Sequence, residues 1–136
     1  MKQRILILCT GNSARSQMAE GLLRELAGER MEVWSAGSRP STVNPLAIAA
    51  MRERGIDISR QRSKHLDEFL AQPFDVVLTV CDNAAANCPI FPGPAQRIHW
   101  SFPDPAAATG DETERLAVFR QVRDAIEARL REWLSA

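Results

Sequence analysis

The stretch Leu8-Cys9-Thr10-Gly11-Asn12-Ser13-Ala14-Arg15-Ser16 follows directly on the apolar run Ile5-Leu6-Ile7. A thiol where a strand ends, then small or polar residues, then an arginine, suits nucleophilic attack on a phosphate-like anion. A strand-to-helix turn leaves backbone N–H groups unpaired and adds the positive end of a helix dipole. The residues between Cys9 and Arg15 can wrap a tetrahedral oxyanion, with Gly11 and Asn12 tolerating the unusual φ/ψ values of such a wrap. Arg15 can grip two oxygens at once, which a lysine cannot do as a fork. The same field favours a thiolate: a free thiol with a pKa near 8.5 is only about 3% ionised at pH 7, and helix N-termini lower that pKa. Ser13 and Ser16 are placed to donate to the sulfur or to hold the loop. Cys9 therefore reads as a nucleophile and Thr10, Gly11, Asn12, Ser13, Ala14, Arg15 and Ser16 as an oxyanion-binding loop. The plainer reading of Cys9 is a small buried hydrophobe; the order strand, cysteine, Gly-Asn, Arg-Ser, amphipathic helix outweighs it.

Further chemistry-bearing residues stand far along the chain. Asp104 lies between Pro103 and Pro105, which restrict Phe102 and Asp104 to extended backbone, so a carboxyl group is held on a stiff loop. By itself an Asp-Pro pair is an ordinary turn or cap. Cys81 ends the strongest β-type run, and Cys88 follows in a segment broken by Pro89, Pro92, Gly93 and Pro94. On a regular helix the Cα atoms of Cys81 and Cys88 would be about 10 Å apart, at about 1.5 Å rise per residue. A disulfide needs about 7 Å or less, so joining them requires that stretch to bend or unwind. Zinc binding by Cys9, Cys81, Cys88 and His99 lacks any short Cys-Cys spacing, and Arg15 would repel the ion. No metal is expected. His65 and His99 read as surface or supporting residues, and Arg60, Arg62 and Lys64 as a solvated basic face or a docking edge.

These residues need a scaffold, and the pattern supplies one. Strands are expected at Arg4–Cys9, Glu32–Ala36, Phe74–Val80 and Arg97–Trp100. Helical stripes run through Met18, Leu22, Leu23 and Leu26 before Gly28, and through Leu46, Ala49, Ala50 and Met51 after Pro45. A last helix from about Glu112 carries Leu116, Phe119, Val122, Ile126, Leu130, Trp133 and Leu134. Alternation of strand and helix implies an α/β fold: an open parallel sheet of about four strands with helices on both faces. In such sheets binding sites gather at the carboxyl ends of the strands. Cys9, Cys81 and the Ser101–Asp111 loop all follow strand ends and are expected to converge there.

The 136 residues suit one domain spanning 1–136, long enough to fold without disulfide or metal. Seventeen basic residues balance seventeen acidic ones, so net charge points to neither nucleic acid nor a membrane surface. No apolar run approaches the length of a membrane span, and no secretory apolar region follows the basic start Met1-Lys2-Gln3-Arg4. The reading is a cytoplasmic protein and a monomer. Three cysteines in such a compartment point away from a disulfide framework and toward catalysis or redox work.

The stretch CTGNSARSQMAE resembles the active-site loop of the low-molecular-weight protein tyrosine phosphatases and of the arsenate reductases that share their fold. The resemblance implies Cys9 as nucleophile, Arg15 as oxyanion ligand and Asp104 as general acid. The phosphatases typically carry an aromatic residue after their Asp-Pro; here Ala106-Ala107-Ala108 follows, and the chain has no tyrosine. TVCDNAAANCPIFPG followed by HWSFPDPA resembles instead the thioredoxin-coupled arsenate reductases, and the likeness runs from the first strand to the last helix. It implies reduction of arsenate to arsenite through a relay of Cys9, Cys81 and Cys88, with reducing equivalents from thioredoxin and no bound cofactor. The alternative is a phosphatase of the same fold in which Cys81 and Cys88 form a redox-regulatory pair. Some reductases of this type bind potassium through residues like Asn12 and Glu20; Ser35 and Ser63 are candidate equivalents, but Lys64 falls where an acidic ligand would be expected, and its ammonium group could stand in for the ion.

Overall fold

The computed structural model describes residues 2–80 and 91–136. Strands β1 (Gln3–Cys9), β2 (Met31–Gly37), β3 (Val76–Thr79) and β4 (Gln96–His99) form one parallel sheet in the order β2-β1-β3-β4. Helices α1 (Arg15–Ala27), α2 (Pro45–Arg52) and α3 (Glu112–Ser135) complete the frame. The expected α/β class and strand count are met.

Side-chain alternation along β1 divides the interior. Ile5, Ile7 and Cys9 face a core built with Met18, Leu22 and Leu23 of α1, Ala47 and Met51 of α2, and Phe119, Val122, Ile126 and Leu130 of α3. Leu6 and Leu8 face the other way, toward Phe69, Phe74, Val77 and Phe91. That second face is covered by a 3₁₀ turn at Leu66–Phe69 and an aromatic group. Helical segments thus lie on both faces, with the α-helices of the described residues sharing one core.

Local chemistry sets the ends of these elements. Gly28, at φ 56°, stops α1. The Asn44 side chain accepts from Leu46 N–H at 2.8 Å, and Pro45 fills the first turn of α2. Asp111 caps α3 through Glu114 N–H at 2.8 Å. Although α3 is 24 residues long, no helix among the described residues is long and apolar enough to cross a membrane.

Two strands are displaced from the expected bounds. Phe74 and Asp75 fall outside β3: the Phe74 ring packs edge-on against Trp34, Phe69 and Phe91, and the Asp75 carboxylate accepts from Arg4 N–H at 2.8 Å. Trp100 falls outside β4 and packs on Trp133 with ring centroids 6.0 Å apart.

The strand order positions the chemistry. From β1 the chain crosses to β2 on one side, whereas β3 leads to β4 on the other, so the order reverses between β1 and β3. The carboxyl ends of these neighbours form the crevice where open α/β sheets bind ligands. Cys9 ends β1, and Val80, just past β3, donates to Leu8 O at 3.0 Å.

Candidate functional site

The loop between Cys9 and α1 is held by its carbonyls. Thr10 O accepts from Arg39 N–H at 2.9 Å, Gly11 O from Ser63 Oγ at 3.0 Å, and Asn12 O from Gln17 Nε2 at 3.0 Å. Ser13 O accepts from Asn44 N–H at 3.0 Å, and Ala14 O takes Met18 N–H at 2.9 Å within the first turn of α1. In a planar trans peptide the C=O and the following N–H point in opposite directions. Carbonyls drawn outward from Thr10 to Ala14 therefore turn the N–H groups of Gly11 to Arg15 to the inner side, as an oxyanion cradle requires. The start of α1 adds its dipole on the same side.

Asn12, at φ 46°, is the loop residue in left-handed backbone. Gly11 is not, and a Cβ there would make only an ordinary 3.8 Å contact with Ser13. Of the two residues expected to supply unusual backbone angles, only Asn12 does so.

The Asn12 side chain is fully buried and makes four hydrogen bonds. Its Nδ2 donates to Ser16 Oγ at 2.7 Å and Ser35 Oγ at 2.9 Å. Its Oδ1 accepts from Lys64 N–H at 2.9 Å and Gln17 Nε2 at 2.9 Å. Cys9, 3% exposed, has its Sγ 2.9 Å from Ser16 Oγ. The expectation that Ser16 reaches the sulfur is met in geometry; Ser13 contributes its carbonyl to Asn44.

Arg15 is buried, and its Nη1 donates to Phe102 O at 3.1 Å. Its Nη2 lies 4.0 Å from Asp104 Oδ2. The Ser101–Asp111 loop thus converges on the Cys9 loop. Asp104 sits at φ −79°, ψ 108°, the extended backbone its flanking prolines impose. Its Oδ1 accepts from Ala106 N–H at 3.0 Å, so one oxygen caps a 3₁₀ turn while the other faces the guanidinium. Cap and catalytic carboxyl group are compatible readings of one side chain. Cys81 and Cys88 lie outside the described residues.

The sequence reading missed Gly37. β2 runs so close to the loop that a Cβ on Gly37 would lie 2.7 Å from Cys9 O and 3.0 Å from Asn12 N, both backbone atoms. A close approach to a residue distant in the chain leaves no local pattern to read, only the bare presence of a glycine at a strand end.

Lys64 departs from the solvated face expected of the basic run, while its ammonium group stands beside Glu20, where the resemblance allowed it to replace an ion. Arg60 and Arg62 are exposed, but Lys64 is buried, with Nζ donating to Arg62 O at 2.9 Å and standing 3.7 Å from Glu20 Oε1. Burial lowers its pKa from the ordinary lysine value, and the Glu20 carboxylate opposes that shift. Glu20 is itself 2% exposed; Oε1 accepts from Ser35 Oγ at 2.5 Å and Oε2 lies 3.0 Å from Arg24 Nη1. These residues do not fit a resident potassium ion. Both Asn12 oxygens already accept hydrogen bonds, the Ser35 hydroxyl is committed to Glu20, and two cationic side chains face that carboxylate.

His99 is exposed and bridges hydroxyls, with Nδ1 2.6 Å from Thr79 Oγ1 and Nε2 3.2 Å from Ser101 Oγ. His65 accepts from Asp67 N–H at 3.0 Å, capping its turn. Both lie at least partly at the surface and hold local polar contacts. A polar groove of about 700 Å³ lined by Glu20, Arg24, Arg60, Gln61, Arg62 and Lys64 runs behind the loop and includes none of residues 9–16. The oxyanion cradle is separate from this groove.

Comparison with known proteins covers nearly the whole chain. The family model for low molecular weight phosphotyrosine protein phosphatases matches residues 4–136. An arsenate reductase from Halalkalibacterium halodurans is 50% identical over 130 residues, 96% of this chain and 94% of that protein. The solved structure of an arsenate reductase in the phosphate binding state superposes with a TM-score of 0.80 at 34% identity, covering 98% of this chain and 97% of that one. A thioredoxin-dependent arsenate reductase from Corynebacterium glutamicum gives a TM-score of 0.74 at 30% identity over 98% of this chain and 61% of its own.

Proposed function

The chain belongs to the low molecular weight phosphotyrosine protein phosphatase family, and from that premise we propose that it is a thioredoxin-coupled arsenate reductase. The observation that carries the reading is 50% identity to an arsenate reductase along 96% of the chain, which includes Cys9 with its oxyanion loop, Arg15 and Asp104. Arsenate resembles phosphate in shape and charge, so the cradle serves either anion; the later cysteines decide the chemistry.

The Cys9 thiolate attacks arsenic while Arg15 and the inward N–H groups hold the oxyanion oxygens. Asp104 gives its proton to the departing oxygen, which leaves as water, and a Cys9–arsenic bond remains. The Cys81 thiolate then attacks the Cys9 sulfur. The sulfur–arsenic bond breaks with its electron pair passing to arsenic, arsenite leaves, and a Cys9–Cys81 disulfide forms. Cys88 attacks the Cys81 sulfur, frees the Cys9 thiolate and leaves Cys81–Cys88. A thioredoxin dithiol reduces that bond and becomes a disulfide itself, so two electrons travel from thioredoxin to arsenic. The protein works as one unit, a monomer in the cytoplasm, where thioredoxin keeps thiols reduced.

Two assays on the purified protein test this reading. Arsenate-dependent NADPH consumption with thioredoxin and thioredoxin reductase is expected, and Cys9→Ser abolishes it. Hydrolysis of an aryl phosphate with no arsenate-dependent NADPH consumption would make the chain a phosphatase with a redox-regulatory Cys81–Cys88 pair.

A further inference from the structure

Lys64 and Glu20 are buried charged groups to which the cysteine chemistry gives no task, yet a continuous line of hydrogen bonds joins them to the nucleophile. It runs from Glu20 Oε1 to Ser35 Oγ, then to Asn12 Nδ2, Ser16 Oγ and Cys9 Sγ. The direction of each bond follows from donor counting. The Lys64 backbone N–H can only donate, and it donates to Asn12 Oδ1, which fixes the orientation of that amide. Both Asn12 Nδ2 protons are then committed, one to Ser35 and one to Ser16. The single Ser35 proton goes to Glu20. Ser16, already accepting from Asn12, has its one proton left for the Cys9 sulfur, an arrangement that stabilises a thiolate.

We propose that Lys64 is the resident cation of this relay and a positioning residue for Cys9: its backbone sets Asn12, and its ammonium group holds the Glu20 carboxylate where Ser35 and Asn12 need it. The proposal rests on Cys9 being the nucleophile of the reading above. Without the ammonium group, Oε1 of a buried carboxylate keeps only Ser35, a deficit that is costly in a buried site. The carboxylate then turns toward Arg24, whose side chain is 49% exposed, or draws a cation from the groove that Glu20 and Lys64 line. In the first case Ser35 loses its acceptor and the order passes out of Asn12 and Ser16. In the second a small monovalent cation restores it. Lys64 thus supplies from within the chain the positive charge that a dissolved cation would otherwise bring to Glu20.

The test reads Cys9 directly, by the rate of its iodoacetamide alkylation at fixed pH, quantified by mass spectrometry of the Cys9 peptide from the full chain. Alkylation follows the thiolate, so it responds whether or not arsenate is the substrate. Wild type is expected to react equally fast in potassium chloride and in tetramethylammonium chloride of equal ionic strength. Lys64→Gln is expected to react about tenfold more slowly in tetramethylammonium, as loss of one charge-supported hydrogen bond implies, and to recover in potassium. Lys64→Arg, which keeps the charge, stays within about twofold of wild type on the same scale. A Lys64→Gln rate equal to wild type, a slow rate that potassium leaves unchanged, or a wild-type rate that rises with potassium would each overturn the proposal. The wild-type comparison needs no variant to fold. Arsenate turnover measured on the same samples separates the two readings: its absence, with the alkylation pattern intact, would remove the substrate assignment and leave the relay standing.

Discussion

The Arg15 guanidinium and the Asp104 carboxylate lie 4.0 Å apart, brought together from opposite ends of the chain by the β1 loop and the stiff segment after β4. The second Asp104 oxygen is anchored by Ala106 N–H. Asparagine preserves that anchor but has no proton to give. Asp104→Asn is therefore expected to unfold at the wild-type temperature while forming the Cys9–arsenic adduct at least about 100-fold more slowly, the usual scale for a lost general acid. Rapid-quench measurement of adduct formation beside a thermal melt checks both parts. A variant with the wild-type rate would exclude Asp104 as the proton donor.

Gly37 gives a second prediction. An alanine Cβ there would press on Cys9 O and Asn12 N, neither of which can move without moving the oxyanion loop. Gly37→Ala should destabilise the chain by about 1–3 kcal/mol, as overpacking usually does. It should also weaken phosphate binding at least tenfold, an effect a mere loss of stability would not produce in protein that is still folded. Urea denaturation and calorimetric titration with phosphate report the two effects separately.

How far the site was legible depends on whether its cause was local. The Cys9 loop, the Arg15 fork and the proline-stiffened Asp104 announce themselves within a few residues, and the structure brings them together. β1 was readable because a buried parallel strand is a continuous apolar run, and α1 because its stripe keeps helical spacing. The ends of β3 and β4 were misjudged because Phe74 and Trp100 continue the β-type composition while their rings answer to Phe69, Phe91 and Trp133 elsewhere. Within the basic run Lys64 looked like one more exposed base beside Arg60 and Arg62, and only the family resemblance set its ammonium group near Asn12 and Glu20. Its burial is set by Glu20 and Asn12, and no pattern within the basic run records that partnership. Gly37 and Gly11 reverse their apparent importance for the same reason: the constrained glycine is the one another segment approaches.

At the far end of the molecule, the tie between α2 and α3 sets an acid limit. Glu53 is hydrogen-bonded by Arg120 at 2.7 Å and by Arg123 at 2.9 Å, and these guanidinium groups hold its pKa down to about 2, the Arg120 bond contributing most. The unfolded chain protonates this group at its ordinary value of 4.5. A depressed folded-state pKa contributes stability that is present above the unfolded value and lost as pH falls through the folded one. Wild type should accordingly melt above Glu53→Gln at pH 6–8, with the gap closing between about pH 4.5 and 2. A gap that persists unchanged at pH 2 would mean the pair does not stabilise the fold through charge.

The central claim is that arsenic leaves as arsenite because a second cysteine takes the Cys9 sulfur, and a single-turnover experiment with arsenate and no thioredoxin tests it most directly. Cys88→Ser is expected to release about one arsenite per enzyme and stall with Cys9 and Cys81 linked in one tryptic disulfide peptide, whereas Cys81→Ser releases almost none, by the exchange logic of mixed disulfides. Arsenite release from Cys81→Ser at the wild-type level, or the absence of any Cys81-containing disulfide after arsenate treatment of the wild type, would contradict the relay.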